Sequence, residues 1–258
     1  MENTPFRAVY AVSRDRKNAL NSWRIRLSHP MTEDKLDEFE RIFDKLYLEF
    51  TKMERELEPY QRVERSIQKK FRKSIWVPFI AAVKRYELIQ ENDKIAVCIS
   101  GGKDSMLMSK LLQELQKYSE VPFELVYLVM DPGYNELNRK KIESNAALLH
   151  IPITIFETDI FSVANNTEKN PCYLCAKMRR GALNDMAIEN GCNKVALGHH
   201  NDDVLETFFL SLMHEGRIHC FSPVTYLDRT DMYQIRPMIY VRERDIRGVV
   251  KNYDIPVV

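Results

Sequence analysis

The stretch "SGGKDS" at residues 100–105 follows the apolar run "KIAVCI" and precedes "MLMSKLLQELQ". A short β-rich run followed by a helical pattern predicts a strand that turns directly into a helix. The chain has only 8 glycines among its 258 residues, and two of them are adjacent in this turn. Paired glycines let backbone N–H groups approach an anion closely, and the start of a helix adds a partial positive charge. The stretch therefore predicts a loop that binds phosphate.

Two widespread phosphate loops do not match this stretch. A Walker A loop needs a glycine five positions before Gly102, where the chain has Val97, and the stretch does not fit G-x-G-x-x-G either. A tight turn without a ligand is the other interpretation, but such a turn would not require Ser, Lys, Asp and Ser together. We therefore expect a phosphate loop of another kind, at the carboxyl end of a strand, where open α/β sheets bind their ligands.

Short apolar runs alternate with helical patterns from residue 93 onward. This order predicts an α/β fold over residues 91–258, a doubly wound parallel sheet with helices on both faces. The polar residues 161–171 are predicted to form a mobile loop. The predicted strands are "KIAVCIS", "FELVYLVM", "ITIFETDI" and "KVALGHH", and the predicted helices between them are "MLMSKLLQELQKY", "ELNRKKIESNAALLH" and "CAKMRRGALNDMAIENG".

Residues 1–90 are predicted to form an N-terminal helical extension. After Thr32, apolar residues recur at steps of three and four, acidic residues occupy the first turn, and Pro59 follows the end. This pattern predicts an amphipathic helix, which could pack onto the chain's own body or pair with a second copy in a homodimer. The recurring apolar residues are Leu36, Phe39, Phe43, Leu46, Phe50, Met53 and Leu57.

A second helical stretch is predicted from about Arg62 to Leu88. Its opening, "QRVERSIQKKFRKSI", holds six basic residues and one acidic residue. Such a run is either a solvated helix face or a surface that binds a phosphate backbone. The whole chain has 38 Lys and Arg against 37 Asp and Glu. A nucleic-acid partner would therefore be held by local basic patches and not by a globally positive body.

No stretch of the sequence is predicted to enter a membrane. The first 20 residues carry charges throughout, and the longest apolar run, "IWVPFIAAV", is too short to span a bilayer. Five cysteines in a chain of this length, two of them in "CYLC", indicate a metal or redox site and not a disulfide framework. We therefore expect a cytoplasmic protein.

Several further motifs follow the loop in an order and spacing similar to those of a known family. Together with "SGGKDS" they resemble the PP-loop ATPases, and within them the tRNA 2-thiocytidine synthetase group, over about residues 68–258. The resemblance implies ATP, Mg²⁺ and a 4Fe-4S cluster as cofactors, and tRNA with sulfide or a sulfur donor protein as partners. These motifs are "LVMDPGY", "NPCYLCAKMRRGAL", "VALGHHNDDVLETFFLSLM", "QIRPMIYVRERDI" and "IPVV".

The resemblance also implies roles for the residues that match its motifs. Lys103, Asp104 and Arg179 would be catalytic, with Arg180 as a substitute for Arg179. Asp202 and Asp203 would hold Mg²⁺ or orient the substrate, although their segment could also be a polar helix cap. The residues that would bind the nucleotide are Ser100, Gly101, Gly102, Lys103, Asp104, Ser105, Met130, Asp131, Gly198 and His199.

The cysteines divide into a candidate metal site and candidate core residues. Cys172 and Cys175 could share one metal, since they lie three apart at a helix start, or could form a redox pair. The resemblance implies a third cysteine ligand, whose position would fall a few residues beyond the end of the sequence. Cys220 could substitute for it, whereas Cys98 and Cys192 are predicted to lie in the core. A zinc deaminase is excluded because the chain has no H-x-E.

The leading hypothesis is an ATP-dependent tRNA-modifying enzyme that adenylates a cytidine 2-oxygen and replaces it with sulfur. The basic segments "KMRR" and "KKFRK" would hold the RNA backbone. The second hypothesis is a PP-loop enzyme that transfers an amine, as the lysidine synthetases do, and the third is a nucleotide- or RNA-binding module that has lost turnover. Iron with acid-labile sulfide in anaerobically purified protein would favour the first hypothesis, and zinc or no metal the second.

Overall fold

A computed structural model describes residues 33–55, 57–160 and 171–253 of the protein. The chain divides into two compact units, residues 1–58 and 59–258. The domain boundary predicted after residue 90 stays a prediction. The loop predicted at residues 161–171 lies, apart from its last residue, outside the described residues.

A six-stranded sheet forms the centre of the second unit. Its strands are β1 (Lys94–Ile99), β2 (Glu124–Asp131), β3 (Ile153–Glu157), β4 (Lys194–Ala196), β5 (Val224–Leu227) and β6 (Met232–Ile235). The strands lie in the order β3-β2-β1-β4-β6-β5, and all neighbours are parallel except β5 and β6. The predicted doubly wound sheet is confirmed, with one antiparallel strand at its edge.

Helices connect the strands and precede the sheet. The last helix before the sheet, α3, continues directly from a π-helical turn, and a second π-helical turn extends α7. The helices are α1 (Glu33–Arg55), α2 (Pro59–Gln68), α3 (Val77–Arg85), α4 (Lys103–Tyr118), α5 (Glu136–Leu149), α6 (Pro171–Glu189), α7 (Asn201–Leu210) and α8 (Glu243–Asn252), and the π-helical turns are Arg72–Trp76 and Ser211–Glu215. None of the described helices is long and apolar enough to cross a lipid bilayer.

Strand β1 shows why the sheet is covered on both faces. Its last five residues are all buried. Ile95, Val97 and Ile99 belong to a core cluster that includes residues of α2, α3, α4, α5 and α8. Ala96 and Cys98 belong to a second cluster, which includes Ala187 of α6. Because successive side chains of a strand point to opposite faces, one uninterrupted apolar run supplies both cores.

Strands β5 and β6, which form a hairpin, were not predicted from the sequence. The two strands are only four residues long each, and a four-residue turn joins them. The segment "VTYLDRTDMYQI" does contain alternating apolar residues around a polar turn, which is a hairpin signal. The signal is weak because short strands offer few repeats. Because β6 was not predicted, the position of Arg236 at the carboxyl edge of the sheet was not predicted either.

The helical regions before the sheet follow the predicted pattern with one difference. Helix α1 matches the predicted amphipathic helix, and the rings of Phe39 and Tyr47 both contact that of Phe43 within it. Packing onto the chain's own body and pairing with a second copy both stay predictions for this helix. The stretch predicted as one helix from Arg62 to Leu88 is broken, because α2 ends at Gln68 and a turn separates it from the next helical segment.

A buried ion pair lies at the amino edge of the sheet. Lys194 Nζ is 2.6 Å from Asp93 Oδ2, and both side chains are almost fully buried. The remaining hydrogen-bonding groups are satisfied as well: the ammonium donates to the carbonyl of Leu88, and the carboxylate accepts from the Gln90 N–H and from Asn193 Nδ2. This cluster joins the start of β4 to the turn before β1.

We predict that Lys194→Met destabilises the protein by about 3–5 kcal/mol, because it leaves the buried Asp93 carboxylate without its charged partner. Urea unfolding monitored by circular dichroism measures the change. Lys140→Met, which removes an exposed lysine paired with Glu136, is the control and should change the free energy of unfolding by less than about 0.5 kcal/mol. Equal effects of the two substitutions would contradict this account of the pair.

Candidate nucleotide-binding site

The candidate site lies at the carboxyl edge of the sheet, where the loops after β1, β4 and β6 begin. Strand β1 pairs with β2 on one side and with β4 on the other. The chain therefore leaves the sheet in opposite directions at this position, which is the topological switch point at which open α/β sheets bind ligands. The predicted phosphate loop, residues 100–105, follows β1 at this point.

Two serines hold the phosphate loop in shape. The Ser100 N–H donates to Ser105 Oγ over 3.2 Å, and the Ser105 hydroxyl donates to the Gly102 carbonyl over 3.0 Å. Ser105 is buried, so the hydrogen bonds of its hydroxyl lie inside the loop and stabilise its conformation. Gly101 has a φ of 83°, which a glycine adopts without strain. The first turn of α4 has Gly102 as its N-cap residue, and no side chain caps it. Its first N–H groups are therefore available to an anion.

Gly198 lies against the backbone of this first turn. A Cβ atom added at Gly198 would be 3.1 Å from the Ser105 nitrogen and 3.2 Å from the Asp104 carbonyl carbon. Backbone atoms cannot swing aside as a flexible side chain can, so a side chain at this position would push the two loops apart. The sequence predicted Gly198 as a nucleotide-binding residue, and the structure gives it a packing role beside the phosphate loop.

Lys103 carries the positive charge of the phosphate loop. Its Nζ is 3.1 Å from Asp104 Oδ2 and 3.0 Å from Oε1 of Glu243, the first residue of α8. Partial burial alone would lower the pKa of Lys103, but the hydrogen bonds to Glu243 and Asp104 outweigh it and raise the pKa. The hydrogen bond from Lys103 also lowers the pKa of Glu243, with a smaller contribution from Arg247. Both partners therefore stay charged at neutral pH.

His200 links the loops after β1 and β4. It is buried and forms a capping box at the start of α7: the His200 N–H donates to Asp203 Oδ2 over 2.7 Å, and His200 Nδ1 accepts from the Asp203 N–H over 3.4 Å. The other ring nitrogen, Nε2, lies 3.6 Å from Asp104 Oδ1. That carboxylate oxygen is buried and has no hydrogen-bond partner among the described residues. A buried acceptor without a hydrogen-bond partner, next to an uncapped helix start, is a candidate contact for a ligand.

Asp202 joins this arrangement to the loop after β6. Its Oδ2 accepts from the Glu243 N–H over 2.7 Å and so caps the start of α8. The predicted magnesium carboxylates, Asp202 and Asp203, thus each use one oxygen to accept a hydrogen bond from a backbone N–H at a helix start. Two adjacent carboxylates still fit Mg²⁺, which commonly takes one or two carboxylates together with substrate phosphates.

Arg236 and Phe221 surround His199 at the same edge. The His199 and Phe221 ring centroids are 5.0 Å apart, and the Arg236 guanidinium lies 4.9 Å from the Phe221 ring. Burial lowers the pKa of His199, and the charge of Arg236 lowers it further. His199 is therefore neutral at neutral pH. Its Nδ1 and the Nε of Arg236 are buried without a hydrogen-bond partner in the part of the chain that the structure describes.

The predicted adenosine-side residues lie at the end of β2. Met130 and Asp131 are both buried. Asp131 Oδ1 accepts from the N–H groups of Gly133 and Tyr134, at 2.9 Å and 2.6 Å. This carboxylate therefore shapes the turn after β2, two strand positions away from the loop after β4. The role of both residues toward a nucleotide stays a prediction.

The candidate cluster ligands lie on α6. This helix precedes parallel strand β4, so it begins at the carboxyl edge, and Cys175 and Arg179 lie in its first turns. Cys175 and Arg179 are half-buried, and the side chain of Cys172 lies outside the described residues. No group of three His, Cys, Asp or Glu side chains suited to a metal occurs among the residues that the structure describes. The cysteine pair alone does not complete a cluster site.

Two of the other cysteines, Cys98 and Cys192, lie in the core as the sequence predicted, and the role of Cys220 as a substitute ligand stays a prediction. Burial raises the pKa of the Cys98 thiol to about 12, with a further contribution from Cys192, and burial also raises the pKa of Cys192. Neither forms a thiolate at neutral pH, so neither suits metal binding. Cys220 is exposed.

Sequence reasoning missed three residues that the structure brings to this edge. His200 was read only as part of a polar segment, and Arg236 and Glu243 belong to the motif "QIRPMIYVRERDI" without an assigned role. Arg236 and Glu243 were not assigned because both follow β6, a strand that was not predicted from the sequence. No sequence signal separates His200 from neighbouring His199, because both lie in the same polar segment after β4.

Comparison with known proteins agrees with this geometry. Residues 59–258 match the family model described as a PP-loop domain. The chain belongs to the PP-loop family. Its phosphate loop is thus a PP-loop, and the resemblance to the PP-loop ATPases is confirmed.

Two curated relatives are tRNA-cytidine(32) 2-sulfurtransferases. This chain is 35% identical over 201 residues to the enzyme of Stenotrophomonas maltophilia (strain K279a). The matched region covers 77% of this chain and 64% of the relative. It is 38% identical over 183 residues to the enzyme of Alkalilimnicola ehrlichii. That matched region covers 69% of this chain and 57% of the relative. The chain therefore spans less than two thirds of the length of these two relatives.

A solved structure shares the fold. The U34-tRNA thiolase NcsA from Methanococcus maripaludis, solved with its [4Fe-4S] cluster, superposes with a TM-score of 0.55 at 23% identity. The superposition covers 70% of this chain and 63% of the thiolase. At this identity the likeness shows the PP-loop fold.

We predict that Gly198→Ala lowers the affinity for ATP about tenfold, because its methyl group strains the PP-loop by about 1–3 kcal/mol. Isothermal titration calorimetry with ATP measures the affinity. Gly181→Ala is the matched control: nothing lies within 4 Å of a Cβ at this helical position. It should leave ATP affinity unchanged and stabilise α6 by about 0.5–1 kcal/mol. ATP affinity equal to that of the wild type in Gly198→Ala would contradict the proposed packing.

Proposed function

We propose that this protein is an ATP-dependent tRNA sulfurtransferase that adenylates the 2-oxygen of a cytidine and replaces that oxygen with sulfur. The observation that carries the proposal is the uncapped start of α4 beside Lys103, at a switch point, in a chain 35% identical to a tRNA-cytidine(32) 2-sulfurtransferase. ATP and tRNA would meet in the cytoplasm, where we expect the protein to act.

The activation step uses the loop as a phosphate clamp. The cytidine 2-oxygen attacks the α-phosphorus of ATP, the bond to the bridging oxygen breaks, and pyrophosphate leaves. The N–H groups of residues 103–105 and the Lys103 ammonium would hold the phosphates, because a helix start and a fixed cation favour negative charge. Lys103 would exchange Glu243 and Asp104 for phosphate oxygens. Mg²⁺, bound through Asp202 and Asp203, would neutralise part of the phosphate charge when present.

The substitution step follows from the leaving group. A ring carbonyl is a poor electrophile because lone pairs donate into it, whereas an O-adenylate leaves as AMP. Hydrosulfide, or a sulfur atom of the same oxidation state from a donor protein, attacks C2, the C–O bond breaks, and AMP and a proton leave. No oxidant or reductant is needed. Arg179 would stabilise the negative charge on the departing AMP, since a guanidinium suits phosphate oxygens.

Cys172 and Cys175 are our candidates for two ligands of a 4Fe-4S cluster. Cys175 lies at the start of α6, on the edge of the sheet that carries the PP-loop, which supports this assignment. The described residues do not complete a ligand set for such a cluster.

Anaerobic incubation with ATP, sulfide and tRNA lacking the modification tests the proposal. We expect AMP, pyrophosphate and 2-thiocytidine in equal amounts, measured by chromatography and by mass spectrometry of the digested tRNA. Lys103→Ala should lower the rate about 100-fold or more, because it removes a fixed charge from the phosphate clamp. Lys140→Ala, on the exposed face of α5, is the control and should react as the wild type does. Absence of AMP and 2-thiocytidine with the wild type would refute the proposal.

A further inference from the structure

Two segments far apart in the sequence form one exposed basic surface. One is the turn between α2 and α3 with the π-helical turn that follows, and the other is α8. We call this surface the basic face. Its residues are Lys69, Lys70, Arg72, Lys73, Arg244, Arg247 and Lys251, all of which are exposed.

The basic residues of α8 form a single stripe. Arg244, Arg247 and Lys251 are spaced by three and four positions, so they lie on one side of the helix. The side chains of Arg244 and Arg247 are 75% and 69% exposed. On the opposite side, Ile246 and Val249 are buried in the core. The helix is thus fixed to the protein by one face and presents its cations on the other.

Specific contacts hold the two segments side by side. A Cβ added at Gly248 would lie 3.3 Å from the ring of Phe71, so the glycine allows the ring to pack closely against α8. Lys70 Nζ donates to Asn252 Oδ1 over 2.7 Å. Gly248 and Asn252 both lie on the flank of the basic stripe, which places the basic turn directly beside it. The two segments therefore act as one surface.

Positive charge dominates this surface. Two carboxylates belong to α8 beside the stripe: Glu243, which is held by Lys103 and Arg247, and Asp245, whose Oδ2 is 3.8 Å from Arg244 Nε. Residues 69–73 and 243–252 together thus contain seven basic residues and two acidic ones. In a chain with a net charge of only +1, such a concentration indicates a polyanionic partner.

The stripe begins at the PP-loop. Glu243, at the first position of α8, contacts both Lys103 and, through its N–H, Asp202. From there α8 extends for about 15 Å, at 1.5 Å per residue. A chain of phosphates bound along the stripe would therefore pass beside the site of adenylation.

We propose that the basic face binds the sugar-phosphate backbone of the tRNA whose cytidine is modified. This inference rests on the proposed function. It assigns the RNA contact to α8 together with the basic turn at residues 69–73, and not to that turn alone. Phosphate contacts set the position of an RNA without reading its sequence, so the face would fix where the target cytidine enters the site.

The test is tRNA binding by the double variant Arg244→Gln/Lys251→Gln, which keeps the Arg247–Glu243 pair. We expect the dissociation constant at 0.1 M salt to rise at least about tenfold, and the slope of log K against log[salt] to fall by about 1–2, since each phosphate contact contributes about 0.7–0.9. The control Lys140→Gln/Arg229→Gln removes two exposed charges on α5 and in the β5–β6 turn, and should change the dissociation constant less than about twofold.

Several outcomes separate this proposal from the proposed function. An equal effect of both double variants, or no effect, overturns the basic face while 2-thiocytidine formation by the wild type still supports the enzyme. Loss of tRNA binding in the Arg244/Lys251 variant supports the basic face even if the wild type makes no 2-thiocytidine. Binding to phosphatidylserine vesicles that only this variant loses, with unchanged tRNA affinity, would assign the face to a lipid surface and overturn the proposal.

Discussion

The close approach of Gly198 to the first turn of α4 is the constraint on which the site depends. With no side chain at this position, the loop after β4 contacts the PP-loop at backbone distance. The next residues along the chain are consequently fixed beside Asp104: His200 faces its carboxylate, and Asp203 completes the cap that orients His200. A larger residue would separate the two halves of the switch point. Because Gly198 has no Cβ atom, the loops after β1 and β4 can form a single site.

Charge organises the same site around Lys103. Its ammonium contacts the carboxylates of Asp104, after β1, and Glu243, after β6. Asp202, after β4, accepts a hydrogen bond from the N–H of Glu243 at the start of α8. The Lys103–Glu243 ion pair joins the loops after β1 and β6. In the proposed mechanism, phosphate oxygens would offer the same cation an equivalent set of acceptors, so ATP binding would exchange one set of contacts for another. The helix start adds attraction for phosphate that carboxylate side chains do not use.

Much of this arrangement could be predicted from the sequence, and the rest has physical reasons for being missed. The turn "SGGKDS" and the alternating strands and helices are local signals. The burial of Cys98 followed from its position inside the first predicted strand, and that of Cys192 from its position just before another. The β5–β6 hairpin was missed because its strands are short. The partnership of Lys103 with Glu243 joins residues 140 positions apart, which no local pattern reveals. The basic run around Lys70 suggested RNA binding, but its continuation on α8 depends on the packing of Phe71 against Gly248.

Amide hydrogen exchange with and without saturating ATP tests the central claim most directly. The account predicts slower exchange in the peptide containing residues 100–105, since its N–H groups would donate to phosphate, and unchanged exchange across α5. Exchange that stays the same at residues 100–105, or slows only at the amino edge of the sheet around Asp93 and Lys194, would contradict the assignment of the PP-loop as the nucleotide site.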